Sequence, residues 1–303
     1  MVSRGVILTF DNGNFVSLLQ LQLLILSICT NIIHPSVSFR LFHQSFNQPA
    51  ILKSGFQLLS SSLMMTSPST YVLESPSAER NKGPIWDVLS KRVIADVGPI
   101  CSVLEIAAGC GVHTIYLASQ LLQMQQQEQQ TPSLRMTWLP TDPDHASRLS
   151  IDERVRTCSD DRLRRIIQLA QPLTLNEQGC VENYWNSENS TRFSFTHGSV
   201  DLVISINQIH ISPWSATVGL MRTASQLLKE GGALYCYGPY KEGGTAVESN
   251  IRFDQSLRDR DPSWGLRDLE QVISTASKFG LAFKEKVNMP ANNLSVIFIR
   301  KNK

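Results

Sequence analysis

The chain has 303 residues, 42% of them hydrophobic and 18% charged, with 28 Lys and Arg against 26 Asp and Glu; that is ample for a core, and for one large domain or two small ones at roughly 100–200 residues each. Residues 1–73 hold Arg4, Arg40 and Lys53 against Asp11 alone, so the remainder is electrically balanced, which gives no footprint for bulk binding to nucleic acid or to an anionic membrane. The six cysteines show no Cys-x-x-Cys pair and no nearby His ligand pattern, so neither a disulfide framework nor a structural zinc site is expected, and a reduced compartment is.

Asn12 to Phe39 contains no Lys, Arg, Asp or Glu, and Leu18 to Ile28 is nearly all apolar. The stretch is too short and too interrupted by Gln for a stable membrane span, and it fits a secretory-type apolar region with Ser36-Val37-Ser38 as its cleavage site. Phe39 to Thr70 is rich in Ser and Gln and lacks acids, as transit peptides do. The pair resembles the two-part leader of algae with secondary plastids, which implies delivery to a plastid or other organelle. Two readings compete: a membrane anchor, or a true start at Met64 or Met65 that leaves a cytoplasmic protein. In every case residues 1–73 are set aside as a targeting or disordered leader, with at most an isolated helix near residues 15–33, and residues 74–303 form the domain.

Within the domain, Ser77 to Ala95 has apolar residues at helical spacing, and Arg80-Asn81-Lys82 at its start are placed either to reach over a ligand or to solvate the helix entrance. Val103 to Thr114 carries the main signal. Cys101 to Ile106 reads as a strand buried on both faces, Gly109 and Gly111 as a tight turn open to ligand approach, and Val112 to Gln130 as a helix. This is the nucleotide-binding corner of a doubly wound sheet, whose ligand lies beyond the carboxyl ends of the strands.

A dinucleotide fingerprint wants a third glycine where Thr114 stands, which argues against a nicotinamide-dependent oxidoreductase. The carboxylate of Glu105 beside the turn repels a diphosphate and attracts a cation, so S-adenosylmethionine, with its sulfonium and ammonium, suits the corner better. Leu134 to Leu139 is the second strand, and Asp142 at its tip is the expected partner of a ribose diol, in preference to Asp144; an Asp-Pro helix start is the alternative for either.

Ser147 to Leu169 reads as one long surface helix, Pro172 to Leu175 as a short third strand ending at Asn176, and Gln178 to His197 as a loop. Val200 to Ile206 is the second strong buried strand, and Asn207 and His210 after it should face the crevice. Ser215 to Lys229 is a helix closed by Glu230-Gly231-Gly232, and Ala233 to Tyr237 a strand that leads to Tyr240. Lys241 to Trp264 reads as a polar cover for the crevice, and Leu266 to Phe279 as a helix. Leu281 to Val287 and Leu294 to Ile299 are strands joined by a turn short enough to make them antiparallel.

The order of elements resembles a class I S-adenosylmethionine-dependent methyltransferase. The carrying runs are Glu79-Arg80-Asn81-Lys82-Gly83-Pro84-Ile85, the glycine turn, Thr141-Asp142-Pro143-Asp144, Ile206 to Trp214, Tyr237-Gly238-Pro239-Tyr240, Arg258 to Gly265 and Met289 to Leu294. More narrowly, they resemble the methyltransferase-like 26 family, also called UPF0585 or DUF938. The resemblance implies a three-layer α/β Rossmann-like sheet of seven strands, ordered 3-2-1-4-5-7-6 with the last strand antiparallel, and S-adenosyl-L-methionine as cofactor.

It also implies cofactor contacts at Glu105, Ala107, Gly109, Gly111, Asp142, Asn176 and Asn207. Glu105 is read on the methionine amine, the two glycines along the cofactor backbone, and Asp142 on the ribose. The chain departs from the family pattern at Cys110, and at Asn176, where an acid often contacts adenine. In-line methyl transfer needs positioning and, for a protic acceptor, a base. His210 is the candidate base, with Asn207 and Tyr240 orienting the acceptor; the alternative is that Asn207 and His210 cap the turn into the next helix. The acceptor is a small molecule or another unnamed group, no metal is expected, and the competing function is a cofactor-binding scaffold or interaction protein without transferase activity.

Overall fold

A computed structural model describes residues 72–127, 136–180 and 196–301, all within the unit Met65–Lys303. The leader, the end of the helix beyond Gln127, the start of the second strand at Leu134 and most of the Gln178 to His197 loop lie outside the described residues.

The first helix, α1 (Pro76–Val88), starts where Ser75 accepts the Ala78 N–H and Pro76 takes the first turn, a position at which the missing N–H costs nothing. It continues as a π-helical segment, Leu89–Ile94, and a last α turn, Ala95–Val97. Then follow β1 (Ser102–Ile106), α2 (Val112–Gln127) and β2 (Thr137–Thr141). Two helices come next, α3 (His145–Thr157) and α4 (Asp161–Ile166), and a small hairpin of β3 (Leu175–Asn176) and β4 (Gly179–Cys180). Strand β5 (Val200–Ile206) leads through a 3-10 turn (Ile209–Ile211) to α5 (Trp214–Leu227) and β6 (Leu228–Gly238). The chain ends with α6 (Glu248–Arg260), α7 (Leu269–Lys278), β7 (Leu281–Met289) and β8 (Asn293–Arg300).

The six-stranded sheet has the order β2-β1-β5-β6-β8-β7. Strands β2, β1, β5 and β6 run parallel, and β8 is antiparallel to both its neighbours. This is the expected mixed α/β order with the last strand reversed. Every residue of β5 is buried, as a central strand covered on both faces requires. Leu202 and Ile204 join the cluster under α1 and α2, which includes Ile85, Leu117 and Trp138. Val203 joins the opposite cluster, with Leu220 of α5 and Val272 of α7. At its start, buried Asp201 accepts the N–H groups of Cys101 and Ser102, both at 2.8 Å, and pairs with Lys229, which pins β1, β5 and β6 at one end.

Three expectations are corrected. The single helix from Ser147 to Leu169 breaks at Cys158, which is extended, and Asp160 caps a second helix. The third strand is not Pro172 to Leu175: the outer neighbour of β2 is the chain from 167 to 171, held by parallel bridges Trp138↔Ile167 and Thr141↔Gln171. Pro140, midway along, has no N–H to give, so pairing lapses there into bridges instead of a continuous strand. Leu175–Asn176 instead folds back on Gly179–Cys180 and packs on α5, where Gly219 allows the approach: a Cβ there would stand 2.1 Å from the Asn176 carbonyl oxygen. The third correction is at the end of α5. The chain is already extended at Leu228, which pairs with Val200, and Glu230-Gly231-Gly232 bulges out before pairing resumes at Ala233.

Among the described residues no helix is long and apolar enough to cross a membrane.

Candidate functional site

The parallel strands β1, β2 and β5 end together, and the turns that leave them frame a cavity of about 620 Å³, inside the range of roughly 300–1,000 Å³ usual for ligand pockets. Two non-glycine residues there have positive φ, Ala107 at 56° after β1 and Asn207 at 58° after β5. Such backbone is uncommon and clusters at functional sites. Both line the cavity, with Gly109, Cys110 and Asp142.

Gly109, at φ 60°, faces open space, since a Cβ built on it meets nothing within 4 Å. Gly111 differs. A Cβ there would stand 3.0 Å from the Ile151 Cα, so this glycine lets α3 pack against the turn and is not on the cavity wall.

Asp142 is 7% exposed. One carboxylate oxygen accepts the Gly109 N–H and the other the Asp144 N–H, each at 2.9 Å. Burial pushes its pKa up, against the pull of those two bonds. Asp144 does the other job weighed for this pair: its side chain accepts the Ser147 N–H at 2.7 Å and caps α3.

Glu105 is 2% exposed and sits behind the wall. Its Oε2 accepts from Thr114 Oγ1 at 2.7 Å and from Trp138 Nε1 at 2.8 Å. Burial raises its pKa to about 7, with Thr114 and Trp138 holding it lower than burial alone would. Asn176 turns its side-chain oxygen to the Gln178 N–H at 2.9 Å, and the wall beside it is made by Leu173, Thr174 and Leu175.

The candidate catalytic trio is divided. Asn207 is on the wall, while His210 and Tyr240 are not. The His210 ring packs edge-on against Phe253 with centroids 5.7 Å apart, and a Cβ on Gly238 would come 3.0 Å from its Nδ1. Burial, then the positive charges of Arg267 and Arg260, lower the His210 pKa to about 4. Tyr240 is buried in the cluster under α5 and α7, and burial raises its pKa.

The expected cover from Lys241 to Trp264 contains α6 and reaches the wall through Trp264. It is tied down by Asp254, which accepts the Leu266 N–H at 2.7 Å and pairs with Lys241 at 2.8 Å.

His113 was missed. It lies on the wall in the first turn of α2, 7% exposed, with Nε2 2.7 Å from Asn81 Oδ1. Its signal was an imidazole two residues past the second glycine, where a helix under a sheet edge otherwise takes apolar residues. Asn81 is one of the three polar residues placed either to reach over a ligand or to solvate the helix entrance; Lys82, beside it, pairs with Glu79 and lies over the Tyr116 ring. Among the described residues no group of His, Cys, Asp and Glu is disposed to hold a metal ion.

A doubly wound sheet with a reversed last strand and a cavity at its switch point defines a protein with the fold of the class I methyltransferases. An O-methyltransferase family protein from Burkholderia thailandensis superposes with a TM-score of 0.54 at 14% identity, over 74% of this chain and 57% of that one. The mitomycin 7-O-methyltransferase MmcR gives 0.51 at 14%, over 74% and 54%. The geranyl diphosphate C-methyltransferase of Streptomyces coelicolor, solved with Mg2+, geranyl-S-thiolodiphosphate and S-adenosyl-L-homocysteine, gives 0.51 at 9%, over 73% and 77%. The chain spans little more than half the length of the first of these, and at such identities the likeness is one of fold. The chain belongs to the family described as protein of unknown function (DUF938), whose model matches residues 73–300.

Proposed function

We propose that the protein is an S-adenosyl-L-methionine-dependent methyltransferase, as the resemblance to the methyltransferase-like 26 family implies, and that its acceptor is a small molecule. The observation that carries this reading is the pairing of an open Gly109 with a buried Asp142 on one wall. A carboxylate oxygen accepts two hydrogen bonds, and each oxygen of Asp142 takes one backbone N–H. One acceptor site on each oxygen is left for a ribose diol.

Ala107, Gly109 and Asn207 then lie along the cofactor, and Leu173 to Leu175, next to Asn176, offer its base an apolar slot. Glu105 acts from behind, fixing the end of β1 through Trp138 and Thr114, and Gly111 seats α3. His210 and Tyr240 serve the same end of the sheet as packing. The bound cofactor supplies an electrophilic methyl group on a sulfonium; the chain supplies position.

Calorimetry with S-adenosylmethionine tests the reading. Binding that releases heat and raises Tm is expected; no heat and no thermal shift at saturation would overturn both the enzyme and the cofactor-binding scaffold. Labelled-methyl transfer into fractionated metabolites, proteins and RNA then separates the two, since binding without transfer into any fraction leaves the scaffold.

An organellar destination read from residues 1–73 belongs to the same proposal. A fluorescent fusion of the full chain should enter the organelle, and one starting at Met64 should stay in the cytoplasm; identical distributions would remove the leader's role.

A further inference from the structure

Three polar side chains from three elements meet beside the cavity and serve none of the roles above. His113 of α2 is 2.7 Å from Asn81 Oδ1 of α1. The Asn81 side chain also approaches that of Tyr237, near the end of β6, closely enough to lower the pKa that burial raises there. The Tyr237 carbonyl in turn accepts the Asn207 N–H at 2.7 Å. The chain of contacts therefore runs from the wall residue Asn207, through Tyr237 and Asn81, to the wall residue His113.

This chain sets a tautomer. The Asn81 oxygen only accepts, so the proton of a neutral His113 ring sits on Nε2, and Nδ1 keeps its lone pair. Burial lowers the His113 pKa to about 4, with Glu79 raising it and Lys82 lowering it, so the ring is uncharged at neutral pH.

The rest of the wall says what the His113 side chain meets. Besides His113, its ionisable side chains among the described residues are Cys110 and Asp142. Ile211, Pro213, Ala216, Leu173 and Trp264 give it an apolar character. With Asp142 taken by the ribose, an ionic acceptor would lose its hydration without gaining a charged partner there.

We propose that His113 is the proton acceptor of the reaction, acting on a hydroxyl of an uncharged, mainly apolar small molecule, with Asn81 and Tyr237 as its positioning residues. The assignment rests on the methyltransferase reading. As the acceptor oxygen forms the new O–C bond, the C–S bond of the sulfonium breaks with its electron pair left on sulfur, and the hydroxyl proton passes to Nδ1. The resulting imidazolium keeps its Nε2–H on Asn81 and then releases the Nδ1 proton to solvent.

The test is nitrogen-15 NMR of histidine-labelled protein saturated with S-adenosylhomocysteine, using 2-naphthol as the hydroxyl probe. The expected results are an Nε2–H tautomer for His113 at neutral pH and an Nδ1 resonance that moves on adding naphthol. Asn81→Ala should mix the tautomers, and Tyr237→Phe should mix them in part. His113→Gln should leave S-adenosylhomocysteine affinity unchanged and weaken naphthol about tenfold, the loss of one hydrogen bond. An Nδ1–H tautomer, or an Nδ1 resonance that naphthol does not move, overturns the assignment of His113. No binding of S-adenosylhomocysteine to the unaltered protein overturns the methyltransferase reading itself.

Discussion

The Asp142 carboxylate accepts the backbone N–H of Gly109 at 2.9 Å, across 33 residues of sequence. The tip of β2 thereby holds the glycine turn that follows β1, and the residue read as a ribose ligand is also a strut of the cavity. Asp142→Ala should weaken S-adenosylmethionine by about 1–3 kcal/mol through lost charge-assisted hydrogen bonds and also lower Tm in the absence of cofactor. Titration calorimetry and thermal denaturation of the same variant check both; unchanged affinity would move the ribose contact elsewhere.

Glu105 makes stability depend on pH. Its folded-state pKa of about 7 lies above the ordinary 4.5, so between those values the native state holds the extra proton. Its contribution is complete below about pH 4.5 and is lost as pH rises through 7, by up to about 3 kcal/mol. Thr114 and Trp138 both bond the same oxygen, which a glutamine amide reproduces. Urea denaturation across this window should show a falling stability for the unaltered protein and a flatter profile for Glu105→Gln; equal slopes would mean that the carboxyl ionises normally.

Gly111→Ala separates packing from binding. The substitution forces a side chain into φ 84° and against the Ile151 backbone, at a cost of about 2–4 kcal/mol from left-handed strain and overpacking. Chemical denaturation should show that loss, while cofactor affinity of the folded fraction changes little, since Gly111 is not on the wall.

Asp201→Ala tests the other end of the sheet. It removes the acceptor of the Cys101 and Ser102 N–H groups and the partner of Lys229, and should destabilise by about 1–3 kcal/mol because partly buried donors are left unpaired. Denaturant titration checks this. Where Asp142→Ala loses both stability and affinity, this variant should lose stability and keep affinity.

Much of the sheet could be read from residue types because its central strands are buried on both faces. Val200 to Ile206 and the run ending at Ile106 are mainly apolar, without a period of two, for that reason. The edge beside β2 gave no such signal. Whether residues 167 to 171 or 172 to 175 lie there depends on where α4 ends and on Pro140 failing to donate, and neither fact leaves a period in the sequence.

At the site, glycines and acids mark turns but not directions. The place of Asp142 on the wall was legible because it stands at the tip of β2, where the parallel strands end. Glu105, one strand over, turns inward to Trp138, a partner 33 residues away that no local pattern reveals. His210 looked exposed to the crevice because it follows β5 by four residues; the 3-10 turn of Ile209–Ile211 takes it behind the wall instead. His113 was hidden for the converse reason, since only the amide of Asn81 on another helix gives its ring an orientation.

The six π-helical residues Leu89–Ile94 act as a phase adjuster for α1. Wound on an i→i+5 repeat, they advance more slowly around the axis than α-helical residues do. The end that anchors Val93 in the core and the end that aims Asn81 at His113 therefore face directions that one continuous α-helix could not serve together. Removing a single residue from this segment would restore the ordinary winding at the cost of one of the two appointments. The angular setting of the cavity's polar chain is thus fixed about two turns or more away from it, in a stretch that does not line the cavity.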